Sequence, residues 1–374
     1  MKFVVSSSSL SSHLQVVSRV IASKNTIPVL DCFLFELQEN SLKITAADVE
    51  TRMITSVEVH EVEGEGVFAI LAKNLLDSLK ELPEQPITFD INDDTLETFI
   101  YYENGKYNFI GEKGDEYPQP KPLKDNANKI EISADILLSG ISRTLFATAE
   151  DELRPVMNGV FFDISETDLT FVASDGHKLV RFTSFSSKGI EKSAFILPKK
   201  PANLLKTVLL KETGSVTIAF DINNAYITMA NMTIISRLIE GRYPNYNGVI
   251  PKDNPFNATV DRVLFLNALK RVVVFANPGS TLIKLQLSQN SMFISAQDID
   301  YSTSADETIA CVYEGEEISI GFKGSFLIEI LSNIPSAEVI LQLADPARAG
   351  LMLPAENEAD EDLLMLLMPM MLND

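Results

Sequence analysis

The chain has 374 residues, 45% of them hydrophobic and 8% aromatic, with no tryptophan and a formal net charge of −21. That is ample for buried cores and too long for one ordinary domain, so two or three domains are expected. No apolar run approaches the ~18–20 residues of a membrane span, and the N-terminus, Met1-Lys2-Phe3-Val4-Val5 followed by serines, lacks the long apolar core and cleavage site of a signal peptide.

In chain order, Lys2-Phe3-Val4 reads as a short alternating strand. Over residues 10–22, Leu10, Leu14, Val17 and Ile21 recur at three-to-four spacing, which predicts an amphipathic helix. Strand-like runs follow at 28–36 and at Leu42-Lys43-Ile44. A second, short helix is expected from Ala72-Lys73-Asn74-Leu75-Leu76, and a hairpin turn at Asn104-Gly105. Residues 118–128 are rich in Pro, Lys and Asn and read as a linker. The pattern then starts again. Lys129-Ile130-Glu131-Ile132 precedes a helical pattern over 136–149 (Leu137, Ile141, Leu145), and residues 155–163 reproduce the apolar pattern of 28–36. Pro198-Lys199-Lys200-Pro201 opens a second short helix, and Asp221-Ile222-Asn223-Asn224 reads as a hairpin. A further linker, 244–255, holds three prolines and a glycine. The third copy runs from Ala258-Thr259-Val260 through a helix over 263–276 and a short helix from Phe322-Lys323-Gly324-Ser325 to a last strand at 363–372. Repetition at roughly one third of the chain is the main signal. It predicts three α+β domains, 1–122, 128–250 and 253–374, each with two helices packed on antiparallel sheets.

The motif most suggestive of chemistry is Ser174-Asp175-Gly176-His177-Lys178-Leu179. A carboxylate beside a histidine could be a base and its orienter. The carboxylate recurs, however. Asp48 follows Thr45-Ala46-Ala47, and Asp298 follows Ser295-Ala296-Gln297, each after a strand-like run. A carboxylate present in every copy is better read as a turn former at a strand end. Only the middle copy continues with Gly-His-Lys-Leu, so any site there belongs to the middle of the chain. His13, His60 and His177 are scattered, and Cys32 and Cys311 lie far apart in apolar runs. No metal-ligand spacing arises and no cofactor or metal is expected. The thiols read as buried and free in a reducing cytoplasm. Gly111-Glu112-Lys113-Gly114 lacks the pattern of a phosphate loop.

Charge is unevenly spread. The expected helices carry Arg19 and Lys24; Lys73 and Lys80; Arg143; Lys199, Lys200, Lys206 and Lys211; Arg262, Lys270 and Arg271; and Lys323. Against these stand Asp77, Glu81, Asp261 and Glu329. Acids concentrate at 58–65, 112–116, 314–317 and 356–362. Lysines decorate most exposed helix faces, but the same bias in every copy suggests a basic track. Without aromatic stacking residues, such a track suits duplex phosphate.

Several segments together resemble the family of bacterial DNA polymerase III beta subunits, the DNA sliding clamps, over the whole chain. They are Asn25-Thr26-Ile27-Pro28-Val29-Leu30, Arg154-Pro155-Val156-Met157-Asn158-Gly159, Ser174-Asp175-Gly176-His177-Lys178-Leu179, Glu240-Gly241-Arg242-Tyr243-Pro244-Asn245-Tyr246 and Met368-Pro369-Met370. The resemblance implies a head-to-tail homodimeric ring of the DNA-clamp type, with sheets outside and helices lining a hole around double-stranded DNA, bound without regard to sequence. It implies a non-catalytic, cytoplasmic and nucleoid-associated processivity factor. By position, DNA contacts fall on Lys24, Lys73, Arg154, Lys199 and Lys200. The dimer edge falls on Tyr107 and Phe109 against Val274 and Phe275, all of which would otherwise read as core. A peptide-binding pocket falls on Met157, Ser174, Gly176, His177, Lys178, Leu179, Pro244, Val249, Leu367, Met368, Pro369 and Met370. Its implied ligands are Gln-Leu-x-Leu-Phe-like peptides of the replicative polymerase, the clamp loader, other polymerases and repair proteins. Flexible methionine walls suit many related peptides. Lys178 stands where Arg is common, Met371 where Arg is usual and Gly248 where the loop is often basic, while Asn373-Asp374 extend the chain. These departures bear on peptide preference.

Two other readings compete. A hydrolase using Asp175 and His177 lacks an assembled nucleophile–base–oxyanion set. An acidic scaffold that binds proteins but not DNA conflicts with the uneven charge and would fail to load onto circular DNA.

Overall fold

The computed structural model describes residues 1–372. Its six α-helices among those residues are α1 (Ser7–Val17), α2 (Ala72–Lys80), α3 (Ala134–Thr144), α4 (Lys199–Leu209), α5 (Arg262–Val272) and α6 (Gly324–Asn333). They alternate with four sheets in which every recorded pairing is antiparallel. Each copy opens with a strand that runs directly into a helix: Lys2–Ser6 into α1, Asn128–Ser133 into α3 and Phe256–Asp261 into α5.

The helices differ from expectation at their ends. α1 starts among the serines because Ser6 Oγ accepts from the Ser9 N–H and caps it. It ends at Val17 and tightens into a 3₁₀ turn, Ser18–Val20. α3 and α5 end the same way, at Leu145–Ala147 and Val273–Phe275. Phe322 and Lys323 belong to the strand Ile318–Lys323 and not to α6, and Pro198 closes the strand Ser193–Pro198 before α4. The apolar periodicity marks buried residues: Leu10, Leu14 and Val17 on α1, Leu137 and Ile141 on α3 and Leu145 just beyond it, whereas Ile21 lies past the end of α1 and is half-buried. Each such side chain contributes about 1.5–3 kcal/mol when fully buried.

The chain forms two compact units that do not follow the repeat boundaries. One is Met1–Asp135 with Asn203–Leu238, and the other is Ile136–Ala202 with the segment from Ile239 onward. Strand pairing explains the division. In the first unit, Thr51–Glu58 of the first copy pairs with Met232–Arg237 of the second, Thr51 opposite Ser236 and Thr55 opposite Met232, which fuses two half-sheets into nine strands. In the second unit, Lys178–Ser184 of the middle copy pairs with Glu361–Leu367 of the third, Lys178 opposite Leu367, giving eight strands. A five-stranded sheet in the first unit and a four-stranded sheet in the second remain unshared. The first ends on Gly105–Ile110 and the second on Thr303–Ala310, each with an unpaired edge among the described residues.

The linker after Tyr117 is strapped down within the first unit. Tyr117 is buried, Arg52 donates to the Pro118 carbonyl, Tyr226 Oη donates to Lys121 O at 2.8 Å, and the Lys124 N–H meets Asp221 Oδ2 at 3.2 Å. Cys32 and Cys311 are free and buried. Burial pushes the Cys32 thiol up to about 12. No helix among the described residues is long and apolar enough to cross a membrane.

Candidate partner-binding site

The turn after the strand Leu169–Ser174 is shaped by its own polar atoms. Asp175 Oδ1 accepts from the N–H groups of His177 and Lys178, both at 2.9 Å. Ser174 Oγ accepts from the Gly176 N–H at 3.1 Å and donates to Lys178 O at 2.8 Å. Gly176 sits at φ +90°, where a side chain would be strained, and a Cβ there would lie 2.7 Å from Arg154 Nη1. The same Asp turn recurs, as its repetition in sequence suggested. Asp48 accepts from Glu50 and Thr51 at 2.8 and 2.6 Å, and Asp298 from Asp300 and Tyr301 at 3.0 and 3.3 Å. Asp175 thus meets the backbone of His177 and serves the turn, which removes the base-and-orienter reading.

Lys178 has a side chain only 5% exposed. Its ammonium lies 2.9 Å from Asp175 Oδ2, 2.9 Å from Glu329 Oε2 and 4.0 Å from the Phe326 ring centre. Two carboxylates and a ring face make its burial tolerable. The cation therefore ties the turn to α6. The exposed His177 ring lies 6.2 Å from Phe326.

The C-terminal segment docks on this turn. Past Leu367 the Met368 N–H donates to His177 O, and two residues on the Met370 N–H donates to Gly321 O, each at 2.8 Å. Gly321 allows that approach because a Cβ there would sit 2.6 Å from Met370 O. Met368 remains 42% exposed, Met371 is exposed, and Pro369 and Met370 are half-buried. Asn373 and Asp374 lie outside the described residues.

Of the other residues expected at a pocket, Leu179 belongs to a hydrophobic cluster. Leu179 and Leu366 pack there with Tyr243, Tyr246, Ile196 and Leu351. Tyr243 stacks on Phe161 at 4.6 Å, and Tyr246 Oη donates to Asp163 at 2.8 Å. These two anchors hold the connecting segment that carries Pro244 and Val249, both exposed. Met157, Leu179 and Leu367 are buried, whereas Gly176, His177, Met368, Pro244 and Val249 are exposed. Sequence reasoning counted Lys323 and Glu329 only among the helix charges and did not single out Phe326 or Gly321. No local pattern distinguishes them from ordinary helix and strand residues.

Arg154 lies against the same turn, with Nε 2.8 Å from Asp151 and Nη2 3.4 Å from Asp175 O. Lys199 pairs with Glu150, and Lys200 is exposed in the first turn of α4. Lys73 is exposed on α2, and Lys24 lies in an irregular loop beyond α1. Lys24 and Lys73 fall in the first unit, Arg154, Lys199 and Lys200 in the second. The basic bias of the helices is narrower than expected. Arg19, Lys24, Lys211 and Lys323 lie outside the α-helices, and Asp135 adds an acid to α3. Arg143 is paired with Glu361 and lies over Phe182, and Arg262 donates to Ser336 O and Leu331 O. Both are structural.

Tyr107 and Phe109 lie half-buried on the edge strand Gly105–Ile110, beside exposed Ile110. Val274 and Phe275 are exposed in the turn after α5. Among the described residues no three His, Cys, Asp or Glu side chains are grouped to hold a metal ion.

Comparison with known proteins fits this arrangement. Family models of the N-terminal, central and C-terminal domains of the DNA polymerase III beta subunit match residues 1–121, 131–245 and 247–371. The chain is similar to the beta sliding clamp of Pseudomonas putida, 28% identical with both chains fully covered. In structure it is similar to a sliding clamp from Pseudomonas aeruginosa bound to griselimycin, at TM-score 0.94, and to a DNA polymerase III beta subunit from Thermotoga maritima, at 0.90, each 25% identical with full coverage of both chains. The three-fold repeat, the shared antiparallel sheets and these matches together place the chain in the DNA polymerase III beta subunit family, the sliding clamps, which are non-catalytic processivity factors.

Proposed function

We propose that two copies of this chain, each read as three clamp domains (1–122, 128–250, 253–374), close head to tail around duplex DNA in the bacterial cytoplasm. The observation that carries this reading is the sheet pattern. Each copy of the repeat shares a sheet with the next, and the pattern leaves one unshared half-sheet in the first copy and one in the third. Thr303–Ala310 holds the place in its sheet that Thr51–Glu58 and Lys178–Ser184 hold in theirs, and both of those pair with the following copy. By the same logic it pairs with Gly105–Ile110 of a second chain. Lys106 on one edge and Asp306 on the other favour the match, whereas the neighbouring Glu307 is already held by Arg271. Val274 and Phe275 supply apolar surface beside Tyr107 and Phe109. A heterologous contact that closes gives a ring.

Lys24, Lys73, Arg154, Lys199 and Lys200 are the residues offered to phosphate. Linkage around DNA makes tight binding unnecessary, so few cations suffice. The turn at 174–179, the connecting segment with Pro244 and Val249, and Met368–Met370 form the site for Gln-Leu-x-Leu-Phe-like peptides of the replicative polymerase, the clamp loader, other polymerases and repair proteins. The griselimycin-bound relative supports a ligand site in this fold.

Binding of a fluorescent Gln-Leu-Asp-Leu-Phe peptide tests the site. It should saturate with the intact protein and be lost when His177→Ala and Met368→Ala are combined. No binding to the intact protein overturns the assignment. Loading onto nicked circular DNA tests the ring. Lys199→Glu with Lys200→Glu should reduce loading at moderate salt and leave peptide binding unchanged; undiminished loading removes those lysines from the DNA contact.

A further inference from the structure

Two ammonium groups lie near the Phe326 ring, Lys178 Nζ at 4.0 Å and Lys323 Nζ at 4.6 Å from its centre. They are not equivalent. Lys178 is buried and shared between Asp175 and Glu329. Lys323 is half-buried, and among the described residues its ammonium meets no carboxylate or carbonyl oxygen. An ammonium has three donors, and a ring face satisfies only part of its field.

Its position matters as much as its charge. Lys323 closes the strand Ile318–Lys323, in which Gly321 bridges Met370 in antiparallel register. Continuing that register by two residues carries Lys323 towards Met368, whose N–H is held by His177 O and whose side chain is partly open to solvent. The bridge is isolated, and what ties Lys323 to the turn is the Phe326 ring, which also lies 6.2 Å from the exposed His177 ring; a cation that meets no carboxylate among the described residues thus stands near the candidate site. The chain as a whole, at −21, repels acidic ligands. Partial burial strengthens an ion pair at this point relative to water.

We infer that Lys323 selects peptides that carry a carboxylate next to their apolar anchors, either an acidic side chain or the peptide's own C-terminus. The inference rests on reading this site as a peptide-binding pocket, and it names the charge that the pocket prefers.

The test uses four peptides, Gln-Leu-Asp-Leu-Phe and Gln-Leu-Asn-Leu-Phe, each with a free or an amidated C-terminus, against the full-length protein, Lys323→Met and Lys323→Arg. Methionine keeps the hydrocarbon over Phe326 and removes the charge. The intact protein should bind the peptide with both carboxylates roughly five- to ten-fold more tightly than the one with neither. Lys323→Met should bring the ratio close to one, and Lys323→Arg should retain it. The two singly charged peptides identify which carboxylate is read. Equal binding of all four by the intact protein overturns the inference while leaving the pocket, as does an undiminished preference in Lys323→Met. Failure of every peptide to bind overturns the pocket and the inference together.

Discussion

The turns at Asp298 and Asp175 are the same device put to different ends. Each aspartate accepts from the N–H groups two and three residues on, and each closes a strand. At Asp298 the bonds are longer, and the residues that follow, Ile299 at 80% and Tyr301 at 76%, stand in solvent. At Asp175 the second carboxylate oxygen takes the Lys178 ammonium, α6 supplies Glu329 and Phe326, and the C-terminal segment hydrogen-bonds to the turn itself. The carboxylate is scaffold in both places. What separates the plain turn from the candidate site is what is inserted after the aspartate and what docks on it.

If docking makes the difference, removing the docked segment should have the largest effect. A chain ending at Leu367 keeps the strand pairing of Lys178–Ser184 with Glu361–Leu367. Peptide affinity should fall by about 100-fold or more, as expected when several apolar contacts are lost at once, while sedimentation should still show a dimer. A monomeric product would mean that the tail is a folding element.

Gly321→Val is a milder break. Its Cβ would meet Met370 O at 2.6 Å and Leu372 Cδ2 at 2.9 Å, so the tail must leave the strand edge without being deleted. Peptide affinity should fall about ten-fold, with Gly321→Ala between the two. Unchanged affinity in both variants would show that the Gly321 contact does not set the position of Met368.

A pair of substitutions sharpens the comparison directly. Asn in place of Asp keeps an oxygen for the two backbone donors and removes the charge. Asp298 is itself only 3% exposed, but it meets no cation in a recorded ion pair and Asn keeps its acceptor oxygen, so Asp298→Asn should cost less than about 1 kcal/mol. Asp175→Asn takes one of two carboxylates from a buried ammonium and should cost about 1–3 kcal/mol. Chemical denaturation measures both. Equal losses would show that Lys178 draws nothing special from Asp175.

Much of this was legible in sequence because it is local or repeated. The helical faces follow from Leu10, Leu14 and Val17 and their later counterparts, and the Asp turn from its three occurrences. What was not legible depends on partners far along the chain. Glu329 and Phe326 reach Lys178 across some 150 residues, and Glu361 removes Arg143 from the basic track across 218. Strand pairing between copies likewise divides the contacts into two units where the sequence shows three repeats. The helix ends were misjudged for a nearer reason. Ser6 caps α1, and the last turns tighten to 3₁₀, and neither alters apolar periodicity.

The smallest effect at neutral pH lies beneath the middle turn. Burial raises the Tyr243 hydroxyl above its ordinary value of 10. The Tyr246 hydroxyl is raised by burial first and then by its bond to the Asp163 carboxylate. Both groups are neutral in the folded protein until well above pH 10, whereas in the unfolded chain they ionise near it. The unfolded state therefore binds fewer protons through that window, and stability falls as pH rises, by about 1.4 kcal/mol per unit for each group that is still protonated only when folded. Below pH 10 the contribution is complete and flat. The Tyr243 hydroxyl donates to no acceptor among the described residues but faces the Ser174 N–H, so Tyr243→Phe should cost at most about 1 kcal/mol at pH 7 and reduce the alkaline slope by one group's share. Denaturant melts at pH 7, 9 and 11 measure it. A variant that lost stability at pH 7 but kept the full alkaline slope would show that Tyr243 supports the cluster under Leu179 through its hydroxyl rather than its ring.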